Sequence, residues 1–516
     1  MADKLKLGVR DLVEFCCRSG DLGGADSPGV KALEGLQTHQ KIQQRYRGEA
    51  ESEVAVRWPS RIDDIEVELG GRIDLLFAGE TPPRIEEIKT VYAQLPGDEE
   101  DALHWAQLKC YGACYAREHR LEEVRLSLNL VNLFSRHEQR YEKVYSISAL
   151  ETFVEDTLRH YLRWHRLVEA QRQRTRQQAR KMAFPFADFR SQQRYFAAEV
   201  YRAMVNRQRL MVEAPTGSGK TISTLFPALK AIGEDQCDQV VYLSAKVSGQ
   251  QQAVAAIEQM QTDISYLVIQ AKARSCPCNF DDGEVDDEGR CRRCLGFFER
   301  LPAAREKLLQ LRKLDVPCIQ AIAAEFELCP FELTLQMLPW VEVVICDFNY
   351  VFDPLVQLGY FRADQRRKLL LIDELHNLVD RARGMYSASL GRRQIKQALA
   401  ADNSRQITAA LKSIQQALDR QLRGQDQDES ISEAVPAGLL QASQRFGEKL
   451  GFDIFSNKHI ARETLALSKE IFRFQSICQL FARHHRALGY KPLAARAMRL
   501  LCLNAFEYLQ ECYPLF

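Results

Sequence analysis

The chain has 516 residues, 46% hydrophobic and 27% charged, which suits three or four globular domains with cores of their own. Lys plus Arg is 70 against 69 for Asp plus Glu, so the net charge of +1 excludes a uniformly basic coat for nucleic acid, and any polyanion site must come from local patterning. No apolar run reaches the roughly 18 residues of a membrane span. The start MADKLKLGVRDLVEF lacks the basic-then-apolar layout of a secretory signal. The expectation is a cytoplasmic protein with no membrane partner, whose 15 cysteines are not a disulfide frame.

Residues 1–150 mix helical and strand patterns. Gly71-Arg-Ile-Asp74-Leu-Leu-Phe and Arg84-Ile-Glu-Glu-Ile-Lys89-Thr each read as a strand, joined by a turn holding Gly79, Pro82 and Pro83. Glu87 and Lys89 are two apart and share a strand face, and Asp74 on the neighbouring strand can join them. Two carboxylates and the Ile88 carbonyl make a hard-oxygen site for Mg²⁺ or Mn²⁺, and Lys89 can position or deprotonate water. This pattern resembles the PD-(D/E)xK nuclease core. Gly35-Leu-Gln-Thr-His39 is similar to the first motif of RecB-type nucleases, which implies His39 as a metal ligand. Gln107-Leu-Lys-Cys-Tyr111, on a helical run, resembles their QxxxY element, which implies DNA-backbone contacts for Gln107 and Tyr111. The competing reading is an α/β accessory domain that binds DNA without cutting it.

Residues 151–184 read as a basic linker helix: from Arg159 to Lys181 eight Lys/Arg stand against one acid, Glu169. A surface near phosphates and a merely solvated helix both account for it.

Residues 185–382 contain short apolar β-rich runs, RLMVEAP, QVVYLSA, VEVVICD and KLLLIDE, as in buried parallel strands. RLMVE leads into Ala214-Pro-Thr216-Gly217-Ser218-Gly219-Lys220-Thr221, and a helix is expected from about Lys220. Gly217 and Gly219 let backbone N–H groups close on phosphate oxygens, Lys220 can reach the β/γ-phosphates, and Thr221 can hold Mg²⁺. The loop resembles the ATP-binding loop of superfamily 2 helicases, with Ala214 where the formal pattern has Gly. Lys368-Leu-Leu-Leu-Ile-Asp373-Glu374-Leu-His376 resembles their DEAH box, with Leu375 where Ala is usual. Asp373 is placed to hold Mg²⁺, Glu374 to polarise water, and His376 to couple the site to its surroundings. Upstream, Phe189-Arg190-Ser-Gln-Gln193 resembles the adenine-reading element, with Gln193 its best candidate.

Between these motifs, at 271–335, lies an insert with Cys276, Cys278, Cys291, Cys294, Cys318 and Cys329. Cys291-Arg-Arg-Cys294 offers two thiolates to one centre, Cys276 or Cys278 a third and Cys329 a fourth; four thiolates suit zinc or an iron–sulfur cluster alike. AKARSC, CRRC, CPFEL and VVICDFNYVFDP together resemble the XPD/DinG family of iron–sulfur DNA helicases. The resemblance implies a [4Fe–4S] cluster on Cys276, Cys291, Cys294 and Cys329, with Cys278 the alternative to Cys276.

Residues 383–516 read as mostly helical, with a polar break near Arg423–Ser432, and by position resemble that family's Arch domain. Neither a Ser-Ala-Thr motif nor a Gln-x-x-Gly-Arg-x-x-Arg motif is found, so a second RecA-like domain is expected to be absent. The chain is then truncated, or a partner polypeptide supplies that lobe. The fold expected is α/β: a nuclease-like domain, then a P-loop RecA-like parallel-sheet domain with an iron–sulfur insert, then a helical Arch-like region. The function implied by resemblance is ATP-driven unwinding of DNA with 5′-to-3′ polarity on single strands, fused to a metal-dependent nuclease in DNA repair or recombination. The rivals are a nuclease using the helicase half as a DNA platform, a non-catalytic DNA-binding fragment, and an RNA helicase.

Overall fold

The computed structural model describes residues 4–22, 38–91, 102–132, 137–215, 217–277, 291–423, 429–455, 460–490 and 496–516. Gly35, Thr216 and Cys278 therefore lie outside the described residues. Contacts divide the chain into two compact units. One comprises residues 1–174, 271–311 and 317–336; the other comprises 175–270, 312–316 and 337–516.

The first unit begins with β1 (Lys4–Gly8) and α1 (Val9–Cys16), followed by α2 (residues 38–45). Then come β2 (Glu51–Ile62), β3 (Ile65–Phe77), β4 (Arg84–Val91), α3 (Ala102–His119), β5 (Glu123–Asn132), β6 (Glu138–Ser146) and α4 (Ile147–Lys181). The strands form one mixed six-stranded sheet in the order β1-β3-β4-β5-β6, with β2 on β3. The long β3 pairs antiparallel with β2, antiparallel with β4 and parallel with β1. The two strands expected around Asp74 and Glu87 are thus present and adjacent. One apolar cluster joins Trp58, Leu69 and Ile73 of the sheet to Leu108, Ala113 and Cys114 of α3 and to Leu150, Val154 and Leu158 of α4. A smaller cluster, Ile42, Leu75, Phe77, Ile88 and Val131, seats α2 on the sheet. Gly71 is required by close approach: a Cβ there would stand 2.5 Å from the Tyr111 ring.

The basic stretch is helical as expected, and its buried residues Leu150, Val154, Leu158, Leu162 and Val168 form a stripe at helical spacing. Its arginines are partly committed to neighbouring acids: Arg166 to Asp63 and Asp64, Arg172 to Glu169, and Arg176 to Asp238.

In the second unit, α5 (Gln193–Val205), α6 (Lys220–Gly233), β7 (Gln239–Leu243), α7 (Val247–Gln259) and β8 (Tyr266–Val268) precede β9 (Lys313–Leu314), β10 (Val343–Cys346) and β11 (Lys368–Ile372). The five strands form a parallel sheet in the order β11-β7-β10-β8-β9. β7 and β10 are buried at every position, which is why they read as continuous apolar runs. One expected strand is missing. RLMVE, ahead of the Gly-rich loop, pairs with nothing among the described residues, and Met211 is 81% exposed. β11 ends the sheet, its outer edge without a strand among the described residues. A strand needs a partner ladder, and apolar composition alone does not supply one.

The insert contributes α8 (Lys272–Ser275), α9 (Phe297–Leu311), α10 (Val316–Glu325) and α11 (Pro330–Met337). By contacts, its residues 271–311 and 317–336 group with the N-terminal unit and residues 312–316 with the second. The Leu22 N–H donates to the Cys294 carbonyl (2.8 Å), the Gly296 N–H to Asp21 (2.7 Å), and Arg18 covers the Phe298 ring. Arg305 of α9 is buried against Phe15 and Trp164.

After β11 the chain forms helices His376–Met385, Arg392–Ala400, Arg405–Arg423, Ala437–Phe455 and Arg462–Gln479. These pack on an antiparallel sheet of β12 (Ala388–Gly391), β13 (Glu429–Ser432), β14 (His485–Tyr490) and β15 (Ala497–Cys502) in the order β12-β15-β14-β13. The region is mostly helical as expected, and it carries a small sheet besides. Strands of four to six residues leave too short a period-2 trace to stand out beside long helices.

Candidate functional sites

In the N-terminal unit, β3 carries Asp74, β4 carries Glu87 and Lys89, and α2 carries His39. His39 Nε2 lies 2.9 Å from Asp74 Oδ2, and the same oxygen accepts the Ile88 N–H at 2.8 Å. Lys89 Nζ is 2.7 Å from Glu87 Oε1. Glu87 is 2% exposed, and its Oε2 is buried with no hydrogen-bond partner. Burial, then the charge of Asp74, pushes the Glu87 carboxyl up to about 7, with Lys89 opposing. The hydrogen bond that His39 donates to Asp74 raises it above the usual histidine range, against its partial burial. His39, Glu53 and Asp74 each place a donor atom within 4.8 Å of the others. Glu53 belongs to no motif; only strand register, which the sequence does not state, brings it here.

Gln107 and Tyr111 are each 5% exposed, and Gln107 Nε2 donates to the Tyr111 hydroxyl at 2.9 Å. Tyr111 packs against Gly71, and burial, then the charges of Glu87 and Asp74, raise its phenol. The pair backs the carboxylates from within the core. Both groups are buried, since α3 is buried nearly all round.

In the second unit, Gly217 and Gly219 hold φ of +78° and +82°, conformations that favour glycine, and α6 starts at Lys220. A Cβ on Gly219 would also strike the Gln193 carboxamide. Gln193 is 4% exposed and accepts the Arg190 N–H at 2.9 Å, while the Arg190 guanidinium donates to the Gly217 carbonyl. Gln193 therefore braces the loop. Lys220 Nζ lies 3.1 Å from the Ala214 carbonyl and 3.5 Å from Glu374 Oε1. Asp373 Oδ2 accepts the Ser244 hydroxyl at 3.4 Å, and the Tyr242 phenol of β7 feels both Thr221 and Asp373. Burial, then Glu374 alongside, raises the Asp373 carboxyl. Glu374 holds a φ of +50°, strained for a residue with a Cβ, and its Oε2 is 3.5 Å from Nδ1 of the largely exposed His376. Ser218 Oγ is buried without a partner, an open polar atom in a loop of phosphate-binding shape. These donors fit a nucleotide phosphate with Mg²⁺: ammonium and N–H groups on one side, Thr221 and Asp373 on the other.

In the insert, the Cys294 thiol is within hydrogen-bonding reach of both Cys329 and Cys291. Cys329 stands just before α11, where the Cys294 contact and the N–H groups of Phe331 and Glu332 draw its thiol below the usual range. Those contacts with Cys329 and with Cys291, with burial, push Cys294 the other way. Cys276, buried, closes α8, whose Lys272 lies 3.1 Å from Glu332 and is influenced by Cys329 and Cys294. Cys294 thus meets Cys291 and Cys329 one by one, and thiols of this kind are soft donors of the type a thiolate-held metal centre uses, but among the described residues no three of these sulfurs lie within 4.8 Å of one another.

Residues 242–395 match the DEAD_2 family, and residues 192–276 match the DEAD/DEAH box helicase family. The family these findings support is the XPD/DinG-type helicases. The general transcription and DNA repair factor IIH helicase subunit XPD of Arabidopsis thaliana is 24% identical over 38% of this chain and 30% of its own. The ATP-dependent DNA helicase DinG of Shigella flexneri is 24% identical over 38% of this chain and 32% of its own. The chain thus spans about a third of the length of these curated relatives. Among solved structures, one described as an XPD helicase aligns at a TM-score of 0.44 and 17% identity, covering 63% of this chain and 56% of that one. The matched residues 192–395 contain the phosphate loop, the acidic pair and the cysteines together. No helix among the described residues is long and apolar enough to cross a membrane.

Proposed function

We propose that this protein is an ATP-dependent DNA helicase-type enzyme whose N-terminal unit is a divalent-cation-dependent DNA nuclease. The observation that carries the helicase part is the placing of Lys220 of the phosphate loop against Glu374 of the acidic pair, more than 150 residues later in the chain. ATP with Mg²⁺, when bound, supplies the phosphoryl group and its charge-neutralising ion. Lys220 and the N–H groups at the start of α6 would hold the β- and γ-phosphates. Thr221 and Asp373 would face Mg²⁺, and Glu374 would orient water. His376, beside Glu374, would relay the state of that carboxylate. Gln193 would fix the loop through Gly219 rather than read adenine alone. Single-stranded DNA would be held by basic grooves and stacking, largely without sequence preference. Strand translocation also needs a second lobe with phosphate-contacting arginines, from a partner polypeptide or from further chain.

For the N-terminal unit, His39, Asp74, Glu87 and the Ile88 carbonyl would hold Mg²⁺ or Mn²⁺, which supplies Lewis-acid polarisation of a phosphodiester. Lys89, held by Glu87, would steady the developing charge or move a proton from water. Gln107 and Tyr111 would position the carboxylates. In the insert, Cys276, Cys291, Cys294 and Cys329 would hold a [4Fe–4S] cluster; zinc is the alternative, and about four irons per anaerobically purified chain would favour the cluster.

The deciding experiment is DNA-stimulated ATP hydrolysis by the purified chain. Lys220→Ala is expected to lower it by about 10²–10³-fold with folding intact. Activity unchanged in that variant would reject the reading. Cation-dependent cleavage of single-stranded DNA, lost in Asp74→Ala and retained in Lys220→Ala, tests the nuclease separately.

A further inference from the structure

We infer that Glu53, outside every motif, is a further protein ligand of the divalent-cation site, opposite Asp74, and that it makes the site one of three carboxylates and one imidazole suited to Mn²⁺. The inference rests on the nuclease reading for the other ligands, but it predicts cation binding, not cleavage.

The placement comes from register. β2 and β3 pair with Ser52 opposite Leu75 and Val54 opposite Ile73, so Glu53 faces Asp74 directly, and the ladder skips that pair. Two like charges facing each other across neighbouring strands repel unless something positive lies between them. Glu53 also holds a φ of +57°, which aims its side chain away from an ordinary strand position. It is held there from α2: Gln43 Nε2 donates to Glu53 Oε1 at 2.8 Å and to the Asp74 carbonyl at 3.3 Å. His39, four residues before Gln43 on the same helix face, puts Nε2 at 2.9 Å from Asp74 Oδ2. One helical turn therefore sets both the imidazole and the extra carboxylate.

An independent observation points into the same place. Glu87 is 2% exposed, its Oε1 is taken by Lys89, and its Oε2 has no partner. A buried carboxylate oxygen is rarely left unbonded. Asp74 and His39, two of the three residues whose donor atoms lie within 4.8 Å of one another with Glu53, also act electrostatically on Glu87, which stands beside that triad and not within it. A cation there would take up the orphan oxygen and separate the facing carboxylates in one step. An imidazole among the donors favours a first-row transition ion over Mg²⁺, which prefers oxygen and retains water.

The test uses the full chain and Mn²⁺ alone, followed by calorimetry and by the loss of free-ion electron paramagnetic resonance signal. Wild type is expected to bind, Asp74→Asn to lose binding, and Glu53→Gln to bind about 10-fold or more weakly. Glu53→Gln should also melt no lower than wild type in EDTA, since it removes a facing like charge, yet gain less melting temperature from Mn²⁺. A purely structural Glu53 would give the opposite: lower melting in EDTA and unchanged affinity. Glu53→Ala, which cannot hold Gln43, checks that the weaker binding does not depend on the amide. Binding unchanged in both Glu53 variants while Asp74→Asn abolishes it overturns the inference and leaves the cation site standing. Absence of Mn²⁺ binding by wild type overturns the cation site itself, and Glu53 with it.

Discussion

The carboxylate cluster and the phosphate loop are built in opposite ways. Asp74, Glu87 and Lys89 stand on paired strands, fixed by a backbone N–H, an ion pair and the packing of Tyr111 on Gly71. The phosphate loop follows an exposed run that pairs with no strand among the described residues, and rests on two glycines of positive φ and the brace from Gln193. In the first site the sheet confines negative charge before any ligand arrives, so metal-free folding bears the cost. In the second, nucleotide completes what the chain leaves open, so the cost falls on binding. Electrostatic variants should therefore change the stability of the first region, and loop variants the ligand affinity of the second.

The sharpest way to break this contrast is pH. The raised pKa keeps Glu87 protonated in the fold up to about 7, whereas an unfolded glutamate ionises near 4.5. Between those values the native state holds more protons than the unfolded one, so metal-free stability falls as pH rises through that window and then levels. His39, raised by Asp74, gives stability that is also lost as pH rises through its folded pKa. Glu87→Gln should remove most of the first effect, with a gain above pH 7 of at most about 3 kcal/mol in EDTA and little difference near pH 4. Hydrogen exchange of β3 and β4 against pH would read it locally. A wild-type profile flat from pH 4 to 8 would show that the carboxylate is not confined as described.

Next in size is a steric probe. Gly71→Ala puts a Cβ into the Tyr111 ring and should destabilise the N-terminal unit by about 1–3 kcal/mol. Gly217→Ala meets no atom within 4 Å, and its effect should come through the positive φ alone and appear chiefly as weaker nucleotide binding. Urea unfolding and fluorescent-nucleotide titration of the same two proteins would separate them. Equal losses of stability would erase the distinction between the regions.

How far each region could be read in advance follows the same division. The motif residues near Asp74 and Glu87 were legible because alternation fixes which side chains share a face. Glu53 was not, since its place depends on which residue of β2 falls opposite Asp74. The Gly-rich loop and its lysine were legible because local backbone chemistry dictates them. The strand expected before the loop was a misreading of the same kind in reverse: RLMVE has the composition of a strand, but pairing is a property of two segments. Gln107 and Tyr111 keep their expected i, i+4 relation, while their burial was not legible, because the depth of α3 in the core is set by tertiary packing. The insert cysteines were found by spacing, but the backbone bond from Leu22 to Cys294 joins segments far apart in sequence, and no local pattern announces it.

The smallest expected effect bears on the unpaired run itself. Met211 is 81% exposed, and Leu210 and Val212 are about half exposed, so Met211→Ser removes almost no buried apolar surface. Its stability change should lie within about 0.5 kcal/mol, the usual range for surface substitutions. The corresponding change on a paired, buried strand, Val241→Ser in β7, should cost several times more, since Val241 has no exposure at all. If Met211→Ser instead destabilises as much as Val241→Ser, the run is a covered strand in solution. The outer edge of β11 would then be its natural partner, since no strand among the described residues covers that edge. The phosphate loop would in that case be anchored from both ends, and its assembly would no longer differ in kind from that of the carboxylate cluster.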